Sequence, residues 1–156
     1  MSRHSPIGKL AIEPQLVCDF FATFARFEYA LKAIGCIREG REPVEPAWRR
    51  FSARMRELLN VPAGGELEQA IQYLITYPPR IQVTPTEWRE QALFGESLAE
   101  RAIDAACRVR NNLFHGGKFF EPASEGRDQL LVAHSLAVLH FCLECDEELR
   151  NAYHSP

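Results

Sequence analysis

Ser97–His115, SLAERAIDAACRVRNNLFH, is the stretch from which the rest of the chain is read. Ser97 and Glu100 stand three apart, the spacing of a capping box in which the two side chains satisfy each other's backbone N–H groups at a helix start. Beyond them Leu98, Ala102, Ala105, Ala106, Val109 and Leu113 recur on one stripe, predicting a helix with one face toward a core and Gly116 placed to cap its end. Arg110, Asn111 and His115 lie off that stripe. Asn111 and His115 share a face four residues apart and Arg110 sits beside it, so the three polar groups are expected to point outward at the helix end. Phe114, also off the stripe, is expected to be an exposed aromatic that a partner surface covers.

Working outward, residues 1–12 lack periodicity and are expected to be flexible, while 13–154 read as one helical domain. Pro14 suits a first helical turn ahead of Leu16, Val17, Phe20, Phe21, Phe24, Phe27, Leu31 and Ile34, a helix that ends near Gly35. Glu28 projects between Phe24 and Leu31 on its apolar side, where a carboxylate needs a partner; Arg110 or another cation is the expected one. Trp48, Phe51, Met55, Leu58 and Leu59 mark a second helix, stopped by Pro62 and Gly64-Gly65. Arg49, Arg50, Arg54 and Arg56 occupy its other faces, the pattern of a solvated surface or of a track for phosphates.

Leu67, Ala70, Ile71, Leu74 and Ile75 mark a third helix, and Arg80–Val83 reads as a loop. Thr84-Pro85-Thr86-Glu87 repeats the capping spacing and predicts a short helix through Trp88 and Ala92 to Gly95. After a loop over 116–126 containing Phe119, Phe120 and Pro122, a last helix is expected from Asp128 to Tyr153. It is apolar nearly all round between Leu130 and Leu143, as a central or interface helix would be. The architecture that follows is all-α, a four-helix-type up-and-down bundle with a short extra helix.

The 156 residues suit a single core, and 46% hydrophobic with 25% charged residues excludes an unfolded chain. No basic segment precedes an apolar run and no stretch is long enough to cross a bilayer, so a cytoplasmic protein without membrane attachment is expected. Five cysteines, Cys18, Cys36, Cys107, Cys142 and Cys145, read as reduced thiols within helices. Cys142 and Cys145, with His134 and His140 upstream, have a two-cysteine metal spacing but lack a second pair, so no metal and no cofactor is expected. His134 and His140, six apart, do not share a helix face and read as separate core-edge or interface residues. A net charge of −3 means that any RNA contact comes from a local patch, with Arg49, Arg50, Arg54 and Arg108 as its candidates.

Arg and His at one helix end suit phosphodiester cleavage. Arg holds phosphate in a two-pronged fork, and His moves protons near neutral pH. If two copies of the helix met about a twofold axis, a shared cleft would hold one imidazole as base and one as acid. The nucleophile would be the ribose 2′-hydroxyl, which only RNA carries.

Arg110-Asn111-x-x-x-His115 resembles the Arg-polar-x-x-x-His signature of the HEPN superfamily, small all-helical domains found among prokaryotic toxins and CRISPR-associated RNases. The segment Phe24–Lys32, with Glu28, also looks like the aromatic first helix of several such domains. The resemblance implies a homodimeric, metal-independent endoribonuclease, a toxin or host-defence effector, with Arg110, Asn111 and His115 catalytic, Glu28 and Lys118 supporting and Phe114 at the dimer interface. It also implies RNA as substrate and a possible cognate antitoxin. Toxins paired with a nucleotidyltransferase commonly carry Tyr two residues after the His; here that position is Gly117, which argues against adenylylation. The alternative is a catalytically inactive dimer of the same fold that binds RNA or nucleotide.

Overall fold

A computed structural model describes residues 6–59, 61–115 and 126–156. After a 3-10 turn at Ile7–Lys9 come α1 (Pro14–Ala33), α2 (Trp48–Leu58), α3 (Glu66–Thr76), β1 (Ile81–Gln82), β2 (Trp88–Arg89), α4 (Leu98–Phe114), α5 (Arg127–Cys145) and α6 (Glu147–His154). The fold is an all-α helical bundle.

Its first helix begins where Pro14 allows it. The Glu13 carboxylate accepts the Leu16 N–H at 2.7 Å and so supplies a cap for one of the donors a helix start leaves over. Phe20, Phe24, Phe27 and Leu31 then fall on one buried face. Phe27 meets Phe51 of α2 edge-on, with ring centroids 5.3 Å apart.

Both capping-box bonds of α4 are formed: Ser97 Oγ accepts the Glu100 N–H, and the Glu100 carboxylate accepts the Ser97 N–H. Small side chains at Ala99, Ala102, Ala105 and Ala106 are buried along it, and α2, α3 and α5 all pack against it. That position makes α4 central. The fully buried Leu131, Val138 and Leu139 of α5 face α1, α3 and α4 across the same core.

Three elements differ from the sequence expectation. Arg80–Val83 is partly strand, because Ile81 and Gln82 pair antiparallel with Arg89 and Trp88. The short helix expected after Thr84 does not form: Thr84 Oγ1 does accept the Glu87 N–H at 3.1 Å, but the bond closes a hairpin turn. The cause is tertiary, since the buried Arg108 takes the carbonyls of Gln91 and Ala92, and Asn112 donates to that of Arg80. The last helix is two helices. Asp146, with extended backbone, ends α5 and accepts the Leu149 N–H at the start of α6 while pairing with Arg54.

In the N-terminal stretch expected to be flexible, Ile12 is buried in the core. The Gly116 cap, Gly117, Lys118 and the 116–126 loop up to residue 125 lie outside the described residues.

Candidate functional site

Arg110 occupies the last turn of α4, where its side chain turns back onto α1. Its Nη2 forms a short ion pair with Glu28 Oε1, and Nη1 donates to Asn111 Oδ1 at 2.9 Å. The guanidinium also lies 4.9 Å from the centroid of Phe24 and 5.8 Å from that of Phe114. Glu28 is held in turn by Trp48, whose indole N–H donates to the same Oε1 at 3.1 Å. The pairing of Glu28 with Arg110 agrees with the sequence reading; the outward direction of Arg110 does not. At 26% and 25% exposure the two side chains are half-buried, because Phe24 and Trp48 wall them in.

Asn111 and His115 are exposed, as their off-stripe positions predict, and together line one cavity of about 290 Å3 with Asn112, Arg108, Ile81 and Gln82. Arg110 lines a different cavity, of about 210 Å3, between α2 and α4, and Asn111 is the residue the two share. Within this chain, then, cation and imidazole face neighbouring hollows on either side of Asn111. Cys107 opens onto the Arg110 side, where desolvation raises the pKa of its thiol against the opposing pull of Arg110.

The arginines expected to meet RNA are unlike one another. Arg49 and Arg50 are exposed, Arg49 covering the ring of Phe94 at 4.3 Å. Arg54 is bound to Asp146 and Glu148 at 2.8 and 3.0 Å. Arg108 is buried, pairs with Asp104 at 2.8 Å and holds the two carbonyls already named, so its guanidinium fixes the chain after β2 instead of facing outward. Phe114 is 51% exposed, as predicted, and stacks on the equally exposed Phe21 with centroids 4.9 Å apart. That pair borders an apolar hollow of about 420 Å3 shared with Leu10, Val17 and Leu113.

Three residues here escaped the sequence reading. Trp48 read only as core, although an indole at an apolar–polar boundary wants an acceptor. Asn112, adjacent to the motif, is buried, and its amide donates to Arg80 O at 2.9 Å. Gln82 came from a segment read as loop and carried no signal. His134 and His140 are separate, as expected: His140 is exposed, and the half-buried His134 lies against Tyr73, where desolvation lowers its pKa. No protein-family model, curated protein or solved structure matches this chain.

Proposed function

We propose that the chain is a metal-independent endoribonuclease that acts as a homodimer, with Arg110, Asn111 and His115 of both copies around one scissile phosphodiester. The observation that carries this reading is the anchoring of Arg110. An Arg fixed by Glu28 and Asn111 has lost much of its rotamer freedom, and it stands at the same helix end as an exposed imidazole five residues on. The exposed Phe21–Phe114 stack beside it supports a second copy as its cover.

In the proposed reaction one His115 takes the proton of the 2′-hydroxyl and that oxygen attacks phosphorus. The bond from phosphorus to the 5′-oxygen breaks, and the His115 of the other copy gives its proton to the leaving oxygen. The products are a 2′,3′-cyclic phosphate and a 5′-hydroxyl. Arg110 stabilises the charge gathering on the non-bridging oxygens, and Asn111 orients it. Acting on cellular RNA, such an activity would suit a toxin or host-defence effector.

Cleavage of labelled RNA in excess EDTA by wild type, Arg110→Ala and His115→Ala tests the proposal. Wild type is expected to cut, and each variant to lose at least about a hundredfold with its helicity intact. A second reading, a binding module that does not cut, is favoured by one observation: the Arg110 charge is already matched by Glu28. RNA binding without cutting by wild type decides for it.

A further inference from the structure

We propose that the cavity between β1 and the end of α4 is a nucleobase pocket that sets the sequence preference of the RNA this chain engages. The inference rests on the proposed function for its ligand class, and on the pocket's own chemistry for everything else.

The cavity measures about 290 Å3 and is lined by Ile81, Gln82, Arg108, Asn111, Asn112 and His115. Small-molecule pockets run from roughly 300 to 1,000 Å3, so this one admits a single heterocycle and little more. Its charge is neutralised: the Arg108 guanidinium is tied to the Asp104 carboxylate and to two main-chain carbonyls. Of the described lining residues Arg108 is thus already engaged, and Asn112 is spent on Arg80 O.

Two neutral amides remain, and their orientations are set by bonds outside the pocket. Gln82 Nε2 donates to Pro85 O at 3.0 Å, which leaves Gln82 Oε1 as an acceptor. Asn111 Oδ1 accepts from Arg110, which leaves Asn111 Nδ2 as a donor. One fixed acceptor and one fixed donor beside the aliphatic wall of Ile81 match the edge and face of a base, which offers donors, acceptors and an apolar plane. His115 lies on the same cavity, so a base seated there brings its own ribose to the imidazole. The hairpin that supplies Ile81 and Gln82 is thus a specificity element and not only a connection between α3 and α4.

The test uses the full chain and two readouts. Side-chain amide resonances of Gln82 and Asn111 are followed by NMR as AMP, GMP, CMP and UMP are added, in wild type, Gln82→Ala and Gln82→Glu. Saturable shifts of both amides with one or two of the four nucleotides are expected in wild type; in the variants, where Asn111 is the remaining reporter, its shift is lost in Gln82→Ala and moves to a different base in Gln82→Glu. In parallel, cleavage of RNAs differing at single positions is expected to show a preference in wild type that relaxes at least tenfold in Gln82→Ala. Binding at these amides by a chain that cuts nothing retains the pocket and removes only the ribonuclease reading. No amide shift with any nucleotide, or a preference identical in wild type and Gln82→Ala, overturns the pocket. Gln82 is half-buried on a two-residue strand outside the helical core, and unchanged helicity of both variants separates loss of the pocket from loss of fold.

Discussion

Glu28 and Gly95 show how single positions govern the end and the beginning of α4. The Glu28 carboxylate receives both Arg110 and the Trp48 indole, so replacing it frees a guanidinium that two aromatic rings keep half-buried. On the proposed mechanism, Glu28→Gln is expected to slow RNA cleavage by about tenfold, ~1.4 kcal/mol of barrier, while kinetics of Glu28→Gln that exceed wild type would show that Glu28 restrains Arg110. Gly95 has φ +109°, and a Cβ there would lie 2.2 Å from Glu100 Cβ. Backbone strain and this clash act in the same direction, so Gly95→Ala is expected to cost about 2 kcal/mol or more, read as a lower urea midpoint at unchanged slope.

The elements are held together at their ends. Asp146 closes α5, caps α6 and pairs with Arg54 of α2, being only 2% exposed. Asp146→Ala removes a cap worth about 1 kcal/mol and leaves Arg54 with Glu148 alone; a total of about 2–3 kcal/mol is expected, with α6 amides losing hydrogen-exchange protection before those of α1. At the other capping site, the Arg56 guanidinium above all, helped by the Ser97 backbone N–H, holds the Glu100 carboxyl at about 2 against an ordinary 4.5, although burial works the other way. A carboxylate depressed by folding stabilises above its unfolded pKa and loses that contribution as pH falls through its folded one. The Glu100 contribution is therefore whole above about pH 4.5 and gone near pH 2. Acid unfolding of Glu100→Gln is expected to be flatter than wild type across that window; equal slopes would mean that the Arg56 bond has no energetic weight.

At the scale of the molecule, an apolar surface around Phe21 and Phe114 lies uncovered among the described residues beside the candidate site. On the proposed dimer, Phe114→Glu places a charge on each side of the twofold contact and is expected to raise the dissociation constant at least tenfold in sedimentation equilibrium, with cleavage falling in parallel. A monomer at every concentration for wild type contradicts the shared site directly. Among the described residues no helix is long and apolar enough to cross a membrane.

Much of this was legible locally. Pro14, the Ser97–Glu100 box and the apolar stripes mark the helices α1 to α4, because caps and a 3.6-residue period act within a few residues. Helical geometry fixes the side on which Glu28 projects and so made Arg110 a legible partner, although the carboxylate is half-buried and not enclosed. The break at Asp146 had a signal in the run Asp146-Glu147-Glu148, an N-cap followed by an acidic first turn, but the apolar pattern continuing on both sides outweighed it.

What local sequence determined, then, is where most helices begin and which faces they bury. What only tertiary structure decided is the hairpin at Ile81–Arg89, the inward turn of Arg110 and the burial of Arg108. In each case a donor on α4 meets an acceptor far away in sequence: the Glu28 carboxylate, or the carbonyls of Arg80, Gln91 and Ala92. A buried donor must be satisfied, and which acceptor satisfies it is settled when helices pack, at a range no window of sequence contains.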